Sequence, residues 1–246
     1  MELVTIIIPY FKKKKFIKKT IFSALNQTYP NIEIIIVYDD EDQTDLVYLK
    51  KIIGNKKKIK IIINKKNLGA GLSRNRAISI SRGKYICFLD SDDFFKKDKI
   101  KKQIIFMKQN NFRISHTSYE IIDKNNNYLS SRYARQFNKT QDLLKSCDIG
   151  LSTVILEKKI LSKKIKFPDL QTKEDFVLWL KILMNNEKIG ALNFKLTYWR
   201  KTDNSLSSSV IQKLSDGFVV YYKYMNFNIV KSIFYLLCLS FNFLKK

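Results

Sequence analysis

The sequence predicts an α/β protein built on a largely parallel sheet, and three observations carry that prediction. Short β-branched runs alternate with segments of helical period through the first hundred residues. Three of the runs end at Pro9, Asp39 and Asp90, and ligands of open α/β sheets bind outside the carboxyl ends of their strands. Beyond about residue 110 the alternation gives way to a mixed α+β pattern. Neither an internal repeat nor a flexible linker separates the halves, so one compact unit is expected.

Residues 3–8 form the first β-branched run, halted at Pro9. A basic segment follows, with Phe16, Ile17, Ile21, Phe22 and Leu25 at helical spacing. Residues 32–37 repeat the strand pattern, end in Asp39 and Asp40, and lead into a helix over 45–53. A third strand covers 59–63, a helix 69–81, and a fourth strand 85–89, whose unbroken apolar run reads as covered on both faces. Asn125, Asn126 and Asn127 read as the turn of an antiparallel hairpin between 112–123 and a run starting at Tyr128. Residues 174–184 are helical in period, and 192–199 read as a further strand.

The formal net charge is +24, which raises nucleic acid, anionic lipid and anionic substrates as partners. Only 7 of the 46 basic residues are Arg, however, and Arg is the usual residue for bidentate phosphate and base contacts. Lysine spread over solvated faces explains most of the charge without nucleic acid. Cys87, Cys147 and Cys238 are too few and too scattered for a disulfide framework or a zinc site, which fits a reducing cytoplasm. The opening MELVTIIIPYF has no basic region ahead of its apolar run and reads as a first strand, not a signal peptide. No stretch reaches the roughly 18 to 20 apolar residues of a spanning helix.

The densest chemistry lies in GKYICFLDSDD, residues 83–93. Asp90, Asp92 and Asp93 fall within four residues, where mutual repulsion disfavours ionising all three unless a cation or hydrogen-bond donors offset it. Oxygen-only ligands suit a hard divalent ion, Mg2+ or Mn2+. The alternative is that Ser91 or an Asp caps the helix suggested by KKDKIKKQIIFMK.

Read in order, VTIIIPYF, ALNQTYPNIEIIIVYDD, NLGAGLSRNRAI, GKYICFLDSDD, KEDFVLWLKIL and YWRKTDNSLSSS resemble the successive motifs of the inverting glycosyltransferases of family two. The matches run from about residue 3 to 209. The resemblance implies the GT-A fold, a Rossmann-like, mostly parallel sheet. With the change of pattern near residue 110, it implies a nucleotide-sugar-binding half (1–109) and an acceptor and catalytic-base half (110–209); the tail (210–246), separate in character, reads as amphipathic and helical. The resemblance implies a UDP-sugar donor whose diphosphate sits on Mn2+ or Mg2+, and a hydroxyl of a glycan or lipid-linked acceptor, as in surface polysaccharide synthesis. Asp39 would accept from the uracil ring, Asp90 would lie near ribose and metal, and Asp92 would ligate the metal, with Asp93 ligating or positioning. Arg74 would lie near the phosphates, Pro9 and Tyr10 at the base pocket, and Asp175 would be the catalytic base. Glu174, Arg200 and Lys201 stand as candidates for phosphate or acceptor contacts.

Two departures from the family pattern matter. Its usual VDDGSTD is replaced by VYDDEDQTD, so either Tyr38 substitutes for the first acid or the register shifts by one, which leaves Asp39, the preferred residue, in competition with Asp40. After Arg200 many relatives carry a histidine, whereas this chain has Lys201 and Thr202. The sole histidine, His116, lies in an expected strand and reads as structural. A nucleotidyltransferase would need a glycine-rich basic loop near the N-terminus, and Pro9-Tyr10-Phe11 is not one; a nucleic-acid-binding protein is supported by charge alone. Residues 229–244 are rich in Phe, Leu and Ile, lie near Lys223 and Lys231, and are followed by Lys245 and Lys246. That composition suits an interfacial helix on the inner face of the cell membrane, or else a helix packed on protein.

Overall fold

A computed structural model of the chain describes residues 1–202 and 209–244. The expected alternation is present as β1 (Val4–Tyr10), α1 (Lys14–Leu25), β2 (Ile32–Tyr38), α2 (Thr44–Ile53), β3 (Ile59–Ile63), α3 (Gly69–Ile80) and β4 (Tyr85–Phe88). β1 runs through Pro9 and pairs with both β2 and β4; all pairings among the first four strands are parallel. Successive side chains of a strand point to opposite faces. Ile6, Ile8, Ile34, Ile36 and Cys87 accordingly pack with the apolar stripes of α1, α2 and α4 (Lys99–Gln109). Ile7, Ile35, Val37, Ile86 and Phe88 pack with Ala77 of α3 and with α5 (Glu174–Met184). Both faces are thus covered, which explains the unbroken apolar runs.

The second half extends the same sheet. After β5 (Phe94–Phe95) at the end of the first half, its strands are β6 (Ile114–Ile122), β7 (Tyr128–Arg132), β8 (Ile155–Glu157) and β9 (Ile189–Arg200). The order is β3-β2-β1-β4-β8-β6-β9-β5, with β7 beside β6. β8 joins β4 to β6 by antiparallel pairing on both sides, and its three residues carry no sequence signal strong enough to anticipate that role. The asparagine turn does close an antiparallel hairpin, in which Ile122 faces Tyr128; Asn126 takes a left-handed φ of 75°, and Asp123 Oδ1 accepts from the amides of Asn125 and Asn127.

The tail forms α6 (Val210–Val219), a π-helical turn (Val220–Tyr224) and α7 (Ile229–Leu244). Among the described residues no helix is long and apolar enough to cross a membrane. α7 has two characters. Tyr235, Leu236 and Leu239 face the core, while Val230, Ile233, Phe234 and Leu237 are exposed. The end of the arginine-containing motif (203–208) and Lys245 and Lys246 lie outside the described residues.

Candidate active site

The carboxyl ends of β1, β2 and β4 open onto a cleft of about 890 Å3, closed on its far side by the N-terminus of α5. Pro9, Tyr10, Asp39, Arg74, Asp90, Asp92, Glu174, Asp175 and Arg200 all line it. Asp93 and Lys201 do not.

Asp39 is buried, and its Oδ1 accepts from Asn64 Nδ2 at 2.6 Å and from the amide of Leu68 at 2.8 Å. Asp40, the competing residue, is outside the cleft lining and accepts from the amide of Asp42 at 3.3 Å. Tyr38 is no substitute for an acid: its ring is fully buried, stacked on Tyr10 at 5.3 Å, and its hydroxyl donates to the carbonyl of Asp42. The Tyr10 hydroxyl is likewise committed, to Asp45 Oδ2 at 2.6 Å. With that ring buried, Phe11, more than a third exposed, is an aromatic side chain of the cleft lining that is open to solvent.

The three acids after β4 are pinned from three sides. Thr20 of α1 donates to the carbonyls of Ser91 and Asp93. Ser152 accepts from the Asp90 amide and donates to Asp93 Oδ2 at 2.6 Å. The Arg200 amide donates to Asp93 Oδ1 at 2.8 Å, and its guanidinium donates to the carbonyls of Asp92 and Asp123 and to Asn126. Both Asp93 oxygens are therefore engaged in a side chain 1% exposed, and burial, with Asp92 and Asp90 nearby, raises its pKa well above the usual carboxylate range. Of the two expectations for Asp93, ligating or positioning, this geometry fits positioning. Arg200 lines the cleft, and its guanidinium also ties the loop to the hairpin. The capping alternative fails, since α4 begins at Lys99, beyond β5.

Asp92 does face the cleft, where Lys13 Nζ pairs with its Oδ2 at 2.9 Å and also donates to Thr202 at 3.3 Å. Burial pushes the Asp92 carboxyl up, Asp90 reinforces that, and Lys13 opposes it. Its oxygen-only donor set and its pairing with an ammonium fit a hard divalent ion. Among the described residues no group of three or more His, Cys, Asp or Glu is arranged to hold a metal. Mg2+-type sites, however, commonly use one or two carboxylates plus substrate phosphates.

Across the cleft, α5 starts with Lys173 at a left-handed φ of 64°, which turns Glu174 and Asp175 into its first turn. Acids there complement the helix dipole. Arg74, 3% exposed, joins the two walls: it donates to Asp90 Oδ1 at 2.6 Å and to Glu174 Oε1 at 2.7 Å. Gly71 lets α3 approach, for a Cβ there would lie 3.0 Å from Glu174 Cγ. Burial pushes the Glu174 carboxyl up to about 7 against the pull of Arg74. Burial also raises Asp175, against Lys173, Arg74 and the Phe176 amide that donates to its Oδ1 at 2.7 Å. His116 is structural, as expected: it is buried, bonded to the carbonyl of Arg135, and lowered to about 4 by burial.

The sequence profile described as Glycosyl transferase family 2 matches residues 5–165. The chain belongs to that family. It is similar to the Escherichia coli UDP-Glc:alpha-D-GlcNAc-diphosphoundecaprenol beta-1,3-glucosyltransferases WfgD (35% identical, covering 96% of this chain and 91% of that one) and WfaP (40%, 87% and 83%). It also matches the putative teichuronic acid biosynthesis glycosyltransferase TuaG of Bacillus subtilis at 29% identity over 99% and 97%. Among solved structures, residues 1–349 of S. aureus TarS in complex with UDP-GlcNAc superpose with a TM-score of 0.74 at 22% identity, over 96% of this chain and 70% of that one. That likeness establishes the GT-A fold.

For a family-two glycosyltransferase the cleft holds more than its motifs announce. Lys12, Lys13, Lys15, Trp199 and Lys213 also line it. The lysines escape notice in a sequence with so many, and Lys213 is brought in by the tail.

Proposed function

We propose that the enzyme transfers a sugar, with inversion, from a UDP-sugar to a hydroxyl of a lipid-linked glycan acceptor in surface polysaccharide synthesis. The observation that carries the reading is the pairing of opposed walls in one cleft: Asp39, Asp90 and Asp92 at strand ends, Asp175 facing them from α5. Support for the donor and acceptor comes from the relatives whose names specify UDP-Glc and a diphosphoundecaprenol-linked sugar. Asp39 accepts a hydrogen bond from the uracil ring, with Pro9 backbone and Phe11 bordering the base. Asp92, with Asp90 beside it, holds Mn2+ or Mg2+, which when bound stabilises negative charge on the diphosphate. A mannosyltransferase from Pyrobaculum calidifontis of the same fold, in complex with GDP-Man and Mn2+ (TM-score 0.70, 13% identity, 95% and 69% coverage), is consistent with that cation.

The acceptor hydroxyl attacks the anomeric carbon as the bond to the diphosphate oxygen breaks, through an oxocarbenium-like state. Asp175 takes the hydroxyl proton; burial raises its pKa, which brings it closer to the working pH and makes it a better base. Arg74 holds Asp90 and Glu174 in register, and the lysines at the mouth favour the anionic donor. The exposed face of α7 rests on the inner face of the cell membrane, where a lipid-linked acceptor resides.

The test is incubation with UDP-glucose, Mn2+ and a synthetic α-GlcNAc-diphosphate lipid, with the product's anomeric configuration read by NMR. A β-linked disaccharide is expected. An α-linked product would overturn inversion. Calorimetry supplies the metal arm: Asp92→Ala should weaken UDP binding in Mn2+ by on the order of tenfold to a hundredfold, and unchanged affinity would remove Asp92 as the ligand.

A further inference from the structure

The loop that delivers Glu174 and Asp175 is held by the C-terminal segment. Thr172 donates both its amide and its hydroxyl to Asp216 Oδ2 on α6, each at 2.8 Å, and Gln212 donates to Asp216 Oδ1 at 2.9 Å. Both Asp216 and Thr172 are buried. A carboxylate taken out of water at the surface of a second helix is costly unless its oxygens are satisfied, and here three donors converge on it. The next residue, Lys173, has the left-handed φ that non-glycine residues keep only when their surroundings hold them. One residue beyond Asp175, Phe176 meets Tyr221 of the π-helical turn edge-on, and the Tyr221 hydroxyl is anchored on the carbonyl of Leu144. α6 is itself seated without slack on α7, because a Cβ on Gly217 would fall 2.8 Å from Leu236 Cδ1.

We infer that Asp216 is a positioning residue for transfer: it fixes the loop before α5, so the tail is a structural part of the acceptor side of the active site. A general base works only within about 2.6–3.2 Å of the proton it removes, and a misplacement of about 1 Å costs on the order of a hundredfold in rate. Asp216 does not touch the donor wall. Its loss should therefore separate rate from donor binding. The part of the inference that concerns rate rests on the reading of Asp175 as the base.

The experiment compares full-length wild type, Asp216→Ala and Asp216→Asn. Amide hydrogen exchange of residues 172–175 is measured alongside calorimetric UDP binding with Mn2+ and transfer from UDP-glucose to the α-GlcNAc-diphosphate lipid. In Asp216→Ala, exchange should quicken by tenfold or more, since bonds to a charged acceptor are lost. Its kcat should fall roughly tenfold to a hundredfold, with UDP affinity and the KM for donor within about twofold of wild type. Asp216→Asn should restore both exchange and kcat. Its oxygen still accepts from Thr172, and the Gln212 amide can rotate to accept from the new NH2. Wild-type exchange in Asp216→Ala overturns the inference, as does fast exchange with full transfer, or a fall in UDP affinity that parallels kcat. The exchange arm needs no acceptor. If Asp175→Asn itself transfers normally, the base reading fails separately, and exchange still decides whether Asp216 holds the loop.

Discussion

The two walls of the cleft are built differently. The wall proposed for the donor is made of strand ends from consecutive βαβ units, so Asp39 and Asp90 reach it through nearby chain and a parallel register that the units impose. The wall proposed for the acceptor is a helix N-terminus placed by distant parts: Arg74, 100 residues before Glu174, and Asp216, 44 residues after Thr172. The first wall takes only the props of its acidic loop, Ser152 and Arg200, from the second half of the chain. The second wall depends on remote parts for its position, and damage there should cost turnover before it costs donor binding.

Asp175→Asn offers the largest break of that contrast. It keeps the shape and the N-terminal hydrogen-bonding capacity but loses basicity, so transfer should fall by roughly two to four powers of ten. UDP affinity in Mn2+, measured by calorimetry, should stay at the wild-type level, because Asp39 and Asp92 are untouched. Near wild-type transfer would reduce Asp175 to a helix-start residue, a role Asn fills equally well.

The pH dependence of stability sharpens the same contrast. Glu174 is pushed up to about 7 from an ordinary 4.5, mainly by burial. Between those values the folded protein retains a proton that the unfolded chain has released. Its contribution is therefore fully present below about pH 4.5 and is lost as pH rises to about 7, by up to about 3 kcal/mol. Glu174→Gln cannot ionise. Urea unfolding at pH 5 and pH 8 should show wild type losing stability relative to this variant on going to pH 8, and a parallel pH dependence in both proteins would exclude the effect.

How much of this was legible in the sequence follows from the same division. The donor wall was readable because strand, turn and acid lie within a dozen residues of one another, as in GKYICFLDSDD. Even there, composition did not reveal which acid turns inward: Asp92 and Asp93 differ by one position, and only Ser152 and the Arg200 amide, both remote in sequence, decide that Asp93 is the engaged one. Asp39 separates from Asp40 for a like reason, through Asn64 and Leu68. On the acceptor wall the Glu-Asp helix start was visible as a motif, but its supports were not. Asp216 sits in VIQKLSDGFV, an ordinary amphipathic segment, and nothing local ties it to Thr172. The tail was readable as apolar but not as two-faced, because inward and outward residues are equally hydrophobic.

That two-faced helix carries the prediction with the smallest effect. Tyr235, Leu236 and Leu239 pack inward, and Asn242 donates to the carbonyl of Lys145, so α7 is docked on the domain. Val230, Ile233, Phe234 and Leu237 recur every three or four residues on the opposite side, exposed by 45–78%. An apolar stripe that the domain leaves uncovered, on a chain of formal charge +24, suits an anionic bilayer surface. Phe234→Glu with Leu237→Glu removes two side chains from that contact and adds two like charges. Sedimentation with phosphatidylglycerol vesicles should show binding weakened by roughly tenfold, in line with a part of the ~1.5–3 kcal/mol that each buried side chain contributes. Thermal stability should scarcely move, since exposed positions contribute within about 0.5 kcal/mol, and donor affinity should be unchanged. If vesicle binding were unaltered and the wild type instead sedimented as a dimer that the double substitution dissociates, the stripe would be a surface for a second copy of the chain, and the membrane reading would be wrong.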